Sequence, residues 1–78
     1  MIKTNIILKK KHTLLHIKTK EEKDYIITHC SIESTLNQTS MKNSFKCNKD
    51  ISLSKYREKL NSEVIPMLRD FEILMQGV

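Results

Sequence analysis

The apolar positions of this chain change period once, near residue 50. From there Leu60, Val64, Met67, Phe71, Leu74 and Val78 recur at alternating spacings of four and three. That is one apolar stripe on an α-helix. Ile65, Leu68, Ile73 and Met75 lie beside the stripe and widen it. Ser54 or Ser52 can cap the helix by accepting free N–H groups of its first turn. Arg57 stands where a capping box begun at Ser54 would need Glu, and Gly77 suits the residue after the helix.

The stripe stays in register across Pro66, which has no N–H for the carbonyl of Ser62. A proline costs about 3 kcal/mol in a helix interior. A helix over residues 54–76 would be a straight rod of roughly 35 Å. A six-residue strand is only about 20 Å long, and four strands side by side span about 19 Å. Such a helix overhangs its sheet, so it either kinks at Pro66 or carries its second half to a partner subunit.

The N-terminal half reads as strands. Residues 2–8 and 13–19 are rich in Ile, Leu and Thr, and the run Lys9-Lys10-Lys11-His12 separates them as a turn. A single long strand is the competing reading. The charged segment 20–24 leads into the β-rich run from Tyr25 to Cys30, which predicts a hairpin. Residues 33–40 are polar and turn-like. Met41, Asn43, Phe45 and Cys47 then alternate with Lys42, Ser44 and Lys46, a strand with Phe45 inward and the lysines outward.

The expected fold is therefore α+β in one domain, residues 1–78. A small antiparallel β-meander of three or four strands (residues 1–49) is packed on one face by the long C-terminal helix (residues 50–78). A terminal strand at 71–75 is the alternative for the last segment. A chain of 78 residues buries about 60% of its unfolded surface. That core is small, and a deep substrate pocket is hard to build around it.

Charge sharpens the picture. The first twenty residues carry six lysines and no acid, residues 21–49 balance, and residues 50–78 are net −1. Lys3, Lys9, Lys10, Lys11, Lys18 and Lys20 would thus cluster on one hairpin and its tip. Such a patch attracts phosphates, each contact releasing about one counterion, or steers an acidic protein surface. Lysines on an edge strand also serve simply to prevent aggregation. No Arg or aromatic residue interleaves the six, and no helix-turn-helix or RNA-recognition motif is present. The 12 Lys against 2 Arg, with many Ile and Asn and no Ala, suit an AT-rich gene such as that of a phage or other mobile element.

Catalytic constellations are lacking. His12, His16, His29, Cys30 and Cys47 have the types of zinc ligands but not the spacing. His29 and Cys30, adjacent in a strand, point to opposite faces and form no nucleophilic pair. Glu58, Glu63, Asp70 and Glu72 read as a solvated helix face. The single Gly excludes a phosphate-cradling loop. No cofactor, metal or small-molecule substrate is expected. Residues 1–20 contain no apolar signal region and no stretch approaches the roughly 20 residues of a membrane span. A cytoplasmic protein with reduced, buried thiols is expected.

The resulting expectation is a small non-catalytic protein that binds stoichiometrically, as a regulator, inhibitor or adaptor of a larger macromolecule. The helix face formed by Leu60, Val64, Met67, Leu68, Phe71, Leu74 and Met75 would hold the core and a homodimer. The lysine hairpin would engage an acidic protein surface. The alternative is a nucleic-acid-binding protein with the same lysines on phosphates. About three such contacts on duplex DNA give a log–log salt slope near −2.7.

Overall fold

In a computed structural model, which describes residues 4–36 and 38–76, four strands and one helix follow in chain order. They are β1 (Asn5–Lys10), β2 (Thr13–Glu21), β3 (Tyr25–Ser34), β4 (Ser40–Asn48) and α1 (Leu53–Gln76). The strands form one antiparallel meander in the order β1-β2-β3-β4. The α+β expectation is met, with the four-stranded form. Lys3, Gly77 and Val78 lie outside the described residues.

Several boundaries move. Lys9 and Lys10 belong to β1, so the first turn shrinks to Lys11 and His12. Lys11 takes a φ of 52°, the sign that the first central position of a primed hairpin turn demands. The segment read as a turn from residue 33 is strand as far as Ser34. Its polar residues are held by pairing, Thr13 with Ser34 and Leu14 with Glu33. The loop beyond closes locally. Ser34 N–H donates to the Thr39 carbonyl at 2.8 Å, and Ser34 Oγ accepts from Leu36 N–H at 3.1 Å.

The helix begins at a true cap, with Lys55 N–H donating to Ser52 Oγ at 3.3 Å. It runs unbroken through Pro66, which is exposed. The expected overhang rested on six-residue strands. β2, β3 and β4 have nine or ten residues, about 30 Å at the usual rise. Sheet and helix therefore nearly match in length. At the helix end Met75 still packs against the core, while Leu74 is 52% exposed.

Alternation along the strands sends Leu15, Ile17, Ile26, Cys30, Ile32, Phe45 and Cys47 to the face covered by the helix, where all are buried. Tyr56, Val64, Met67 and Phe71 meet them from α1. Thr28 is fully buried in this layer, and its Oγ1 lies 2.7 Å from the Tyr56 phenol oxygen. Tyr56→Phe should cost about 1–3 kcal/mol, because it strands a buried hydroxyl. Thr28→Val should do the same from the other side. The double variant should recover most of the loss in thermal melts, since neither polar group then remains.

One hydrogen bond fastens the helix to the sheet edge, and an ion pair within the helix steadies its acceptor. Asn43 Nδ2 donates to Glu63 Oε2 at 2.8 Å, and Lys59 Nζ sits 3.3 Å from Glu63 Oε1. The Asn43 hydrogen bond first, and Lys59 second, hold the Glu63 carboxyl below the ordinary carboxylate range. Its contribution is present above the unfolded value of about 4.3 and is lost as pH falls through the depressed folded one. Partial exposure keeps that contribution small.

Candidate binding face

A sheet has two faces, and α1 covers one. The other carries side chains at alternate positions of all four strands, and none of them is buried. Its cross-strand rows follow from the register. They are Lys20–Ile27–Lys46, then Asn5–Lys18–His29–Ser44, Ile7–His16–Ser31–Lys42 and Lys9–Leu14–Glu33–Ser40. Neighbours within a row lie about 5 Å apart, and successive positions on a strand about 7 Å.

This face is basic. It presents Lys9, Lys18, Lys20, Lys42 and Lys46, with the imidazoles of His16 and His29 between them. Among the described residues, the acids on it lie towards its margins. Glu33 shares the last row, and Glu22 caps the β2–β3 turn, 3.6 Å from Lys20 Nζ. At the centre His16, Lys18, His29, Ser31, Lys42 and Ser44 surround an open depression of about 540 Å³. His16 Nε2 is 3.0 Å from Asn5 Oδ1, which ties the ring to the edge strand. Tyr25 stands on the same face beyond Ile27, with Lys46 Nζ 4.7 Å from its ring centroid. Lysine ammoniums and hydroxyls around a shallow depression are suited to hold an anion.

The fold divides the lysines that sequence alone grouped together. Lys9, Lys18 and Lys20 lie on the bare face, Lys10 projects to the helix side, and Lys11 stands on the turn. Lys42 and Lys46, read from sequence only as outward-facing, join the first three. The structure adds His16, His29 and Tyr25, the flat groups that the N-terminal lysines lacked.

The remaining candidates are placed as follows. Val64, Met67 and Phe71 are core, and Leu60, Leu68 and Met75 pack at its margin. Leu74, expected in the core or an interface, is exposed. Cys30 and Cys47 are free and buried on the helix side. Burial pushes both thiols up, with Glu63 adding to the rise at Cys30 and Lys59 opposing it at Cys47. Both therefore stay protonated and unreactive. Among the described residues no three His, Cys, Asp or Glu gather around a metal-sized space. No described helix is long and apolar enough to cross a membrane.

A second surface lies on the helix side. Because α1 runs over β3 and β4, β1 is left uncovered, with Ile6 38% and Leu8 57% exposed. Leu8, Leu15, Ile32, Leu68 and Phe71 floor a groove there, rimmed by Lys10 and Lys11 on the strand side and by Glu72 on the helix side. Comparison of the chain with protein-family models, curated proteins and solved structures gives no significant match.

Proposed function

We propose that this is a small non-catalytic binding protein that holds a nucleic acid on its bare sheet face and acts by stoichiometric occupancy, as a regulator or adaptor would. Support comes from the chemistry of that face. Its lysines come from three strands and point one way, while its acids stand towards the margins. Arrayed ammoniums match a repeated phosphate better than they match a protein surface, whose carboxylates are irregularly spaced. Lysine is a point charge without Arg's bidentate fork, so the contacts favour phosphate over particular bases.

The reading includes a homodimer. In each copy the helix end carries exposed Ile73 and Leu74 beside Asp70 and Glu72. The groove between β1 and α1 has an apolar floor, with Lys10 and Lys11 on its strand rim and Glu72 on its helix rim. Ile73 and Leu74 of a second copy's helix end match the apolar floor of that groove, Asp70 beside them suits its lysine side, and a two-fold axis satisfies both copies at once.

One titration tests both parts. A labelled oligonucleotide is bound across a salt series, with the mass of the complex followed by light scattering. Lys18, Lys20, Lys42 and Lys46 on phosphates give a log–log slope of about −2.8 on a single strand or about −3.6 on a duplex. The mass should correspond to two copies. Binding that is absent or flat with salt overturns the nucleic-acid reading in favour of an acidic protein. Affinity capture that survives nuclease would then identify that protein. A one-copy mass overturns the dimer alone.

A further inference from the structure

We infer that the bare face is built for a single strand, with bases along β3 and phosphates on β2 and β4; this rests on the nucleic-acid reading above and names its ligand. The layout of side chains separates the two halves of a nucleotide. Down the middle, β3 presents Tyr25, Ile27 and His29 at successive positions about 7 Å apart. These are flat or apolar groups. On either side stand the cations, Lys18 and Lys20 from β2 and Lys42 and Lys46 from β4. A duplex buries its base faces in its own stack and offers such a surface only phosphates. An unpaired strand offers both, and its bases stack on aromatic side chains whatever their sequence.

Lys46 and Tyr25 supply a local exchange. In the free protein the Lys46 ammonium stands 4.7 Å from the centre of the Tyr25 ring, a cation–π contact at the surface. A base arriving at that ring displaces the ammonium. The phosphate that accompanies the base is then within reach of the same lysine. Ring and cation each exchange one partner for another, so neither is left without one. His29, two positions further along this face of β3, lies beside Lys18 in its own row, and repeats the pairing of flat group and cation.

The protein carries its own reporter. It has two tyrosines and no tryptophan. Tyr56 is 2% exposed and hydrogen-bonded to Thr28 inside the core, so a ligand-dependent change in tyrosine emission reports on Tyr25. The experiment titrates the full chain with oligothymidylate, oligouridylate and a duplex of the same length, at one salt concentration. Affinity and tyrosine emission are read together. Either single strand should bind more tightly than the duplex and quench the emission. Tyr25→Ala should lose about tenfold in affinity for the strand, the contribution of one base on one ring, and should leave duplex affinity unchanged. Tyr25→Phe should keep the affinity. Equal affinity for strand and duplex, or a strand that binds without quenching, overturns the inference while leaving nucleic-acid binding intact. No binding of any of the three overturns the parent reading instead. The wild-type quench needs no variant, so the outcome does not hinge on whether Tyr25→Ala folds.

Discussion

Phe71→Ala is expected to cost about 3–5 kcal/mol, the range for removing a buried phenylalanine ring. Phe71 is 2% exposed within a single copy of the chain. It packs with Leu15, Ile32 and Leu68 where the second half of α1 crosses the sheet. A domain of 78 residues has roughly 4–12 kcal/mol of stability in total, so this one change consumes a large share of it. For a domain of this size each kcal/mol lowers the melting temperature by about 4–8 °C. The variant should therefore melt at least 12 °C lower, by about 3 kcal/mol at 4 °C each. Circular dichroism checks this directly. Unchanged melting with a lost dimer would instead make Phe71 an interface residue and require the helix to leave the sheet in the free chain. Leu74→Ala is the internal contrast. At 52% exposure it removes little core, so it should weaken the proposed dimer far more than the fold.

How much of this was legible beforehand depended on the range of the contacts. The helix announced itself because its stripe is a local period, and Phe45 and Cys47 did so because alternation is local too. Tyr56 was missed although it lies one helical step before Leu60, because Lys55, Arg57, Glu58 and Lys59 surround it and dilute the period. Thr28 read as a generic strand residue. Its burial follows from the Tyr56 hydroxyl, 28 residues away in sequence. β3 outran its expected length because polar Ser31, Glu33 and Ser34 are held by their β2 partners, a tertiary effect that overrides propensity.

The binding face was legible only in pieces. The N-terminal lysines stood out as a run, yet a run of lysines on a strand points alternately to both faces, and the fold sends Lys10 away from Lys9. Lys18 and Lys42 are brought to one surface by two pairings, β2 with β3 and β3 with β4. A one-residue slip in either would turn a whole strand's lysines to the helix side. No Asn-Gly turn fixes that register. It is held by the apolar partners on the covered face, Leu15 opposite Ile32 and Ile26 opposite Cys47. The core thus selects which cations meet, and only the assembled sheet reveals the selection.

That dependence gives the second prediction its form. Lys18→Glu with Lys42→Glu should reduce affinity for a single strand by about a hundredfold or more. Two charge-assisted hydrogen bonds at about 1.5 kcal/mol each sum to about 3 kcal/mol, and the new carboxylates repel the phosphates besides. Both side chains are exposed, so melting should hold to within about 0.5 kcal/mol. The remaining contacts should flatten the salt slope by about 1.4, from two fewer phosphates on a single strand. A matched control separates the face from net charge. Lys55→Glu with Arg69→Glu makes the same change in charge on the exposed side of α1, behind the sheet. Long-range attraction alone would weaken both variants alike, by amounts that vanish at high salt. Contact on the bare face would penalise the first pair heavily and the second only slightly. If the two pairs lose affinity equally, the sheet face is not the site, whatever the protein binds. If the first pair alone fails, the register that aligns Lys18 and Lys42 builds the site.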